Sequence, residues 1–252
     1  MKHKASIILP TFNEAGNIKK CVETIKSILE IHNLNFEIII VDDNSPDGTF
    51  EVAQELALSD RRIRPFLRTT EKGLSSAVTY GYDKASGDQF VVVDADFQHD
   101  YSKIPDVIEL LKENDIVVAS RRSKDGDYGN FPIFRKLGSL FASKIYEWLF
   151  TVKISDPMSG FFGIRRSVYF STSDKFKRRG YKILFEILGV VQTDKIAEIG
   201  YTFGLRTWGK SKLDLAVVFY FLLDIVSIKW YQLKQQHRLL TESKREKCNI
   251  HP

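Results

Sequence analysis

The sequence predicts an α/β fold in which a mostly parallel sheet is flanked by helices on both faces. In the first half of the chain, short apolar runs alternate with segments of helical spacing. The runs are apolar throughout, which is typical of strands buried on both faces of a parallel sheet. The predicted strands are residues 5–9, 36–41, 63–67, 90–93 and 116–119, and the predicted helices are 16–31, 49–58, 74–85 and 104–113.

The pattern changes after residue 130. Residues 131–150 carry apolar side chains at helical spacing and predict an amphipathic helix. Its apolar face comprises Leu137, Leu140, Phe141, Ile145, Trp148 and Leu149, and the side chains off that face are Lys136, Ser143, Lys144 and Glu147. Farther along, residues 156–166 predict a turn into a short strand, 182–191 a helix, and 196–206 an exposed edge strand.

Length and composition exclude several classes of protein. At 252 residues, with 43% hydrophobic and 27% charged residues, the chain is long enough for one sizeable domain and is not a disordered polymer. Cys21 and Cys248 lie far apart without metal-binding spacing, so we expect two free thiols in a reducing compartment. No zinc-finger, RNP or homeodomain pattern is present, and we expect no nucleic-acid partner.

The C-terminal segment is the part of the chain that most resembles a membrane-contacting element. Residues 213–230 are almost entirely apolar, but Asp214 and Asp224 interrupt them, so no run reaches the roughly 18 residues that span a bilayer. From Lys229 to Pro252, six Lys or Arg and two Glu give a net charge of +4. An anionic membrane surface is the expected partner of such a tail. We see no signal peptide, because Pro10 and Thr11 soon break the first apolar run.

Polar residues follow three of the predicted strands. The first strand is followed by PTFNE (10–14), the second by DDNSPDG (42–48) and the fourth by DADFQHD (94–100). Because ligands bind outside the carboxyl ends of parallel strands, these loops are expected to line one crevice. Helix capping explains one Asp in each loop, but it does not explain two carboxylates so close together in two of them.

The two carboxylates of Asp94 and Asp96 repel each other unless a cation or a proton lies between them. Together with the Gln98 carbonyl they form an all-oxygen set, which suits a hard divalent ion such as Mg²⁺ or Mn²⁺. We expect His99 to lie beside this site without ligating the ion. Mg²⁺ with few protein ligands usually completes its shell with phosphate oxygens, which points to a nucleotide or sugar-nucleotide substrate.

Several nucleotide-binding folds are excluded. The chain has no GxxxxGK[ST] motif, and no GxGxxG follows the first strand. A haloacid dehalogenase-type phosphatase also places DxD after a strand, but its motif carries Thr or Val where this chain has Gln98. A phosphatase that forms an aspartyl-phosphate is therefore the alternative from a different class.

A series of motifs in a fixed order resembles the GT-A family 2 glycosyltransferases, and among them the dolichol-phosphate mannose synthases. The resemblance spans residues 5–212. The motifs are PTFNE (10–14), VDDNSPDG (41–48), EKGLSSAV (71–78), DADFQH (94–99), SRR (120–122), FRKLGS (134–139), DPMSGFF (156–162) and FGLRTWGKSK (203–212). The fold that the resemblance implies is the Rossmann-like GT-A fold, with a catalytic domain at 1–212 and a membrane-interface helix and basic tail at 213–252.

The resemblance also implies roles for individual residues. It assigns the donor nucleotide to Pro10, Phe12, Glu14, Asp42, Lys72, Gly73, Asp94, Arg206 and Lys212. The implied metal ligands are Asp94, Asp96 and Gln98. The catalytic set is Asp96, Arg121, Arg135 and Ser139, of which the last three, with Arg206 and Lys212, are matched to the lipid phosphate and the diphosphate. Phe12 departs from the family, which usually has Tyr there. Arg suits such positions because its planar fork binds phosphate bidentately.

The activity that the resemblance implies is transfer of mannose from GDP-mannose to a polyprenyl (dolichyl-type) phosphate with inversion, dependent on Mg²⁺ or Mn²⁺. We expect a peripheral membrane protein at the cytoplasmic face that contacts the bilayer through the 137–149 face and through 213–230, with a small membrane-protein subunit as a further partner. For the 137–149 face, core packing or a subunit interface is the alternative. The remaining alternatives are a polyprenyl-phosphate glucosyltransferase and a family 2 enzyme with a hydroxyl acceptor, besides the phosphatase.

Overall fold

The computed structural model describes residues 3–129, 133–149, 154–175, 183–191 and 193–205, together with Ile225 and Lys229. The strands are β1 (Lys4–Thr11), β2 (Asn35–Asp42), β3 (Ile63–Leu67), β4 (Gln89–Val92), β5 (Ile116–Ser120), β6 (Phe162–Arg165) and β7 (Ile196–Gly200). The helices are α1 (Ala15–Ile31), α2 (Thr49–Ser59), α3 (Leu74–Lys84), α4 (Ile104–Leu110), α5 (Ile133–Leu149), α6 (Arg166–Phe170) and α7 (Ile183–Val190).

The strands form one seven-stranded sheet in the order β3-β2-β1-β4-β6-β5-β7. Strand β6 is antiparallel to its neighbours β4 and β5, and the other pairings are parallel. The predicted α/β fold with a mostly parallel sheet is confirmed, including the five strands of the first half and the edge strand β7. Strands β2, β1 and β4 are neighbours, so their carboxyl ends lie side by side at one edge.

Both faces of the sheet are buried, as the continuous apolar runs predict. Successive residues of β1, such as Ile7 and Ile8, point to opposite faces of the sheet and belong to two different core clusters. Helices α3, α6 and α7 contribute to the cluster on one face, for example through Tyr82 and Tyr169, whose ring centroids lie 4.6 Å apart. Helices α1, α2 and α4 contribute to the cluster on the other face. The sheet is therefore a rigid base for the loops at its edge.

Helix α5 confirms the helix predicted at 131–150. Ser143, which was predicted to lie off the apolar face, is fully buried together with Tyr146. The apolar residues Ile133, Leu137 and Phe141 are 65%, 56% and 68% exposed. Ser143 and Tyr146 thus face the rest of the fold, and these three apolar side chains face outward.

Most of the predicted C-terminal unit at 213–252 lies outside the described residues. Ile225 is helical and half-buried, and it packs against the core cluster on the α3 and α7 side of the sheet. In the part of the chain that the structure describes, no helix combines the length and the apolar character needed to cross a bilayer.

At the opposite edge of the sheet, Glu37 joins three strands and the loop before β4. This β2 residue is 2% exposed and accepts hydrogen bonds from Ser6 Oγ (2.7 Å), the Ser86 amide (2.6 Å) and Arg64 Nη1 (2.8 Å). Burial alone would raise the pKa of Glu37, but these hydrogen bonds outweigh it and lower the pKa to about 2. The carboxylate therefore stabilises the fold only while it is ionised.

This network predicts a pH-dependent loss of stability in Glu37→Gln. The pKa is about 2 in the folded chain against 4.5 ordinarily, so the stabilisation is complete above pH 4.5 and is lost as the pH falls toward 2. We expect the variant to lose about 3 kcal/mol of unfolding free energy at pH 7 and much less near pH 3, as measured by urea denaturation. Glu30→Gln, which removes an exposed partner of Arg62, is the control. A deficit that is equal at both pH values would contradict the assignment.

Candidate active site

The site is built where β1, β2 and β4 end. Thr11 at the end of β1 is paired with Asp42 at the end of β2, and Val92 of β4 is paired with Ile8 of β1. The loops that follow therefore start side by side. The structure thus brings the predicted nucleotide-binding loops and the DADFQH loop together at one edge of the sheet.

The DADFQH loop has a defined backbone conformation. Phe97 has a φ of +63°, in the left-handed region, which turns the chain back toward the sheet. The Asp96 carboxylate is buried and accepts a hydrogen bond from the main-chain amide of Gln98 (3.0 Å). The main-chain carbonyl of Gln98 accepts a hydrogen bond from the Gly204 amide (2.8 Å). The Asp94 side chain is 38% exposed. The outer carboxylate thus faces solvent while the inner one is fixed by the loop.

These residues fit a hard divalent cation and not a zinc-type site. Their donors are carboxylate and amide oxygens, which Mg²⁺ and Mn²⁺ prefer. Within the described ranges, no cluster of three or more His, Cys, Asp or Glu side chains is arranged to hold a metal alone. Asp94, Asp96 and Gln98 can supply only part of a coordination shell, which leaves positions for water and phosphate oxygens.

The Tyr101 hydroxyl supports the DADFQH loop through hydrogen bonds to its backbone. This hydroxyl donates a hydrogen bond to the Asp94 carbonyl (2.7 Å) and accepts one from the Phe97 amide (3.3 Å). It also accepts a hydrogen bond from the thiol of Cys21, which lies 3.2 Å away. Burial raises the pKa of Cys21 to about 12, so the thiol remains protonated and can donate. Cys21 is free, as predicted, and has a structural function.

His99 lies beneath Asp94. Its Nδ1 accepts a hydrogen bond from the Asp94 amide (3.0 Å), which places the proton of the neutral ring on Nε2, 3.7 Å from the Asp94 carboxylate. Burial lowers the pKa of His99 to about 4, and its ring stacks on Phe161. Gly160 lies close against it, since a Cβ there would be 3.2 Å from Cε1. His99 thus contacts the DADFQH loop through the Asp94 backbone, and its expected place beside the metal ligands stays a prediction.

The two predicted nucleoside carboxylates are held within the β1 and β2 loops. Asp42 is fully buried and accepts hydrogen bonds from Thr11 Oγ1 (2.8 Å), Ser45 Oγ (2.6 Å) and the Ser45 amide (2.8 Å). Glu14 is 7% exposed and accepts a hydrogen bond from Asn17 Nδ2 (2.7 Å). Asp42 therefore joins the two loops to each other, in addition to any contact it makes with a ligand.

Phe12, in the loop after β1, and Lys72, in the segment before α3, contact each other. The Lys72 ammonium lies 5.2 Å from the centroid of the Phe12 ring, within the range of a cation–π interaction. Gly73 follows with a φ of +133°, a conformation that essentially only glycine adopts. Arg68, which was not predicted, is buried behind this segment and paired with Asp43. The unexplained pair of adjacent acids, Asp42 and Asp43, was the signal that could have found it.

Arg121 follows β5 and borders the DADFQH loop through aromatic rings. Its guanidinium lies 5.5 Å from the centroid of Phe203, which also contacts the ring of His99. It makes a bidentate ion pair with the fully buried Asp156, with distances of 2.7 and 2.8 Å. Arg121 is 7% exposed, so Asp156 fixes its orientation at the edge of the site.

Four predicted site residues cannot be assigned contacts. The backbones of Arg135 and Ser139 lie on α5, and their side chains are outside the described part of the structure. Arg206 and Lys212 lie outside the described residues altogether.

Comparison with known proteins identifies the family of the chain. Residues 6–170 match the family description "Glycosyl transferase family 2". A dolichol-phosphate mannosyltransferase of Pyrococcus furiosus is 43% identical over 90% of this chain and 64% of its own length. The enzyme of the same name from Saccharomyces cerevisiae is 32% identical over 95% of this chain and 92% of its own length. The chain thus spans just under two thirds of the first of these relatives and nearly all of the second.

Solved structures share the fold. Glucosyl-3-phosphoglycerate synthase of Mycobacterium tuberculosis, in complex with Mn²⁺, UDP and phosphoglyceric acid, superposes with a TM-score of 0.65 and 17% identity, over 90% of this chain and 78% of that one. A mannosyltransferase of Pyrobaculum calidifontis, in complex with GDP-Man and Mn²⁺, gives a TM-score of 0.52 and 17% identity over 79% and 57%. At these identities the likeness concerns the fold.

The crevice at the ends of β1, β2 and β4, the ordered motifs that line it and the similarity over most of the chain lead to one conclusion. The protein belongs to glycosyl transferase family 2, and its relatives there are dolichol-phosphate mannosyltransferases.

Proposed function

We propose that this protein transfers mannose from GDP-mannose to a dolichyl-type polyprenyl phosphate, with inversion at the anomeric carbon. The observation that carries the proposal is the meeting of two nucleoside-side carboxylates with the Asp94 and Asp96 pair at one sheet edge. The names of the relatives support the sugar and the acceptor.

The proposed donor site lies at the same edge of the sheet. Pro10, Phe12, Glu14 and Asp42 would surround the nucleoside, since carboxylates can accept hydrogen bonds from the amine and ring N–H groups of guanine. Lys72 and Gly73 would lie along the diphosphate, where a cation and a bare backbone can approach closely. The Pyrobaculum calidifontis relative in fold, which was solved with GDP-Man and Mn²⁺, is consistent with such a donor.

Asp94, Asp96 and Gln98 would hold Mg²⁺ or Mn²⁺ against the diphosphate. When bound, the ion would neutralise the charge that builds on the departing GDP. The chain's own part is to keep the oxygen donors in place. Tyr101 and the Gln98 amide hold the loop and the Asp96 carboxylate, and Asp94 remains exposed on the side of the crevice.

The acceptor would be held by basic residues and needs no general base. A phosphomonoester has a second pKa near ~6, so at neutral pH its oxygen is already a competent nucleophile. Arg121, Arg135 and Ser139 would orient that phosphate for attack on the anomeric carbon, and Arg206 and Lys212 would contact the diphosphate. Asp156 supports this function because it holds Arg121 in one orientation.

The lipid acceptor brings the protein to a bilayer. The outward stripe of α5, formed by Ile133, Leu137 and Phe141, has the chemistry of a surface that lies in the membrane interface. We propose that residues 1–212 form the catalytic domain and that 213–252 adds a second contact at the cytoplasmic face. A small membrane-protein subunit would supply further anchoring.

The metal-site assignment predicts the effect of Asp96→Asn. The substitution removes one charge from the all-oxygen set, and we expect transfer of labelled mannose to fall about a hundredfold or more. Mn²⁺ binding, followed by electron paramagnetic resonance, should weaken in parallel. Asp100→Asn is the matched control, because that carboxylate only caps the next turn through Ser102. Undiminished transfer in Asp96→Asn would refute the assignment.

The membrane assignment predicts the effect of a charge on the exposed stripe of α5. We expect Phe141→Glu to reduce flotation with anionic vesicles about tenfold or more, because an apolar ring is lost and a repelled charge is added. Leu58→Glu on α2, where Leu58 is 89% exposed, should float as the wild type does. Equal flotation of the two variants would remove α5 from the membrane contact.

The choice of donor and acceptor separates the proposal from its alternatives. A panel of GDP-mannose, UDP-glucose and UDP-GlcNAc should show turnover with GDP-mannose and a polyprenyl phosphate. Turnover of UDP-glucose, or of a hydroxyl acceptor, would favour the other family 2 activities. Hydrolysis of a phosphomonoester without a sugar nucleotide would favour the phosphatase.

A further inference from the structure

A buried ion pair lies directly behind the Lys72 segment. Arg68, just after β3, and Asp43, just after β2, are 5% and 7% exposed. Arg68 Nε donates to Asp43 Oδ1 over 2.7 Å. The second carboxylate oxygen of Asp43 accepts a hydrogen bond from the Gly73 amide, also over 2.7 Å. One carboxylate therefore links the end of β2 to the segment that precedes α3.

The other edge of the guanidinium contacts the same segment. Arg68 Nη2 lies 3.3 Å from the Glu71 carbonyl, 3.4 Å from the Gly73 carbonyl and 3.0 Å from Ser76 Oγ. The pair thus contacts residues on both sides of Lys72. A lysine at position 68 could not make these contacts and the Asp43 contact together, because its ammonium lacks the planar fork.

The backbone at Gly73 has a conformation that is open to glycine and to few other residues. Its φ of +133° with ψ of 145° lies outside the regions that residues with a Cβ readily adopt. A Cβ at Gly73 would be 3.7 Å from Ser76 Oγ, an ordinary contact, so the backbone conformation and not crowding restricts the position to glycine. Because glycine has many accessible conformations, the Asp43 hydrogen bond to the Gly73 amide helps to select this one.

The chemistry of the pair separates it from the residues that could touch phosphate. Asp43 neutralises Arg68, and a buried ion pair is weak evidence for overall stability, because desolvation offsets its attraction. Lys72 forms no salt bridge among the described residues and lies over the Phe12 ring. In this segment the cation available to an anionic ligand is therefore Lys72, not Arg68, and the pair fixes the backbone on both sides of Lys72.

We propose that Asp43 and Arg68 are positioning residues that set the Lys72–Gly73 segment for the donor diphosphate. The inference rests on the proposed function for the identity of the donor. The link between the pair and the segment does not depend on the proposed function, because that link exists in the protein without a ligand.

The first test is made without donor. Hydrogen exchange of the amides of residues 72–76 should become about tenfold faster in Arg68→Lys and in Asp43→Asn, because the segment loses its hydrogen bonds to the pair. Asp60→Asn is the control, since it removes the Arg62 ion pair near the other end of β3. Exchange at the wild-type rate in both test variants would overturn the proposal, whatever the donor is.

The second test is a double-mutant cycle on the donor. We expect Lys72→Ala to raise the KM for GDP-mannose about tenfold or more, and Arg68→Lys to raise it about fivefold, with the acceptor KM unchanged. If the pair acts through Lys72, the double variant should match Lys72→Ala alone. Effects that multiply would overturn the proposal, as would a loss of thermal stability in Arg68→Lys with an unchanged donor KM.

These outcomes distinguish the inference from the proposed function. If the wild type turns over another nucleotide sugar and not GDP-mannose, the proposed function fails, and the same cycle is run with the donor that is used. A non-additive cycle with that donor would still support the positioning pair.

Discussion

The mutual repulsion of carboxylates at one sheet edge is the constraint on which the site depends. Parallel strands β1, β2 and β4 end together and place Glu14, Asp42, Asp43, Asp94 and Asp96 in neighbouring loops. Each charge is treated differently. Asp43 is paired with the buried Arg68. Asp42 accepts three hydrogen bonds from neutral donors. The neutral ring of His99 accepts a hydrogen bond from the Asp94 amide, beside the Asp94 and Asp96 carboxylates. Asp94 and Asp96, whose carboxylate oxygens suit a divalent ion, thus lie at the same edge as these paired acids.

The loops at this edge are held by buried groups that stay neutral or fully paired. Tyr101 and His99 contact the backbone of Asp94 from two directions, one through its carbonyl and the other through its amide. Arg68 and Arg121 are charged and buried, and each is paired with a carboxylate at 2.7 Å. Such contacts fix geometry more than they add stability. A site that must bind a diphosphate needs its charges placed before the ligand arrives, so this use of buried polar groups has a functional reason.

Much of this arrangement could be predicted from the sequence, because its causes are local. Apolar runs of four to six residues identify the parallel strands, and the acids after them identify the edge that binds ligands. The Arg68–Asp43 pair could be predicted only in part. The adjacent acids Asp42 and Asp43 indicated that a further partner was needed, but Arg68 lies 25 positions from Asp43 and belongs to no recognised pattern. The orientation of α5 was left open between the membrane and the core. Periodicity shows that a helix has an apolar stripe, but it does not show whether that stripe faces the core or the outside, and here Ser143 and Tyr146 face inward.

The antiparallel strand β6 has a consequence for the order in which the chain folds. Strand β5 pairs with β6 and β7, whose residues are synthesised more than forty positions later, and β6 also completes the exposed side of β4. On the ribosome, the β3-β2-β1-β4 half of the sheet can assemble early. The apolar segment Ile116–Ser120 then has no neighbouring strand on either edge until β6 and β7 are synthesised. Until then, this apolar segment therefore offers two unpaired strand edges to aggregation and to chaperone binding.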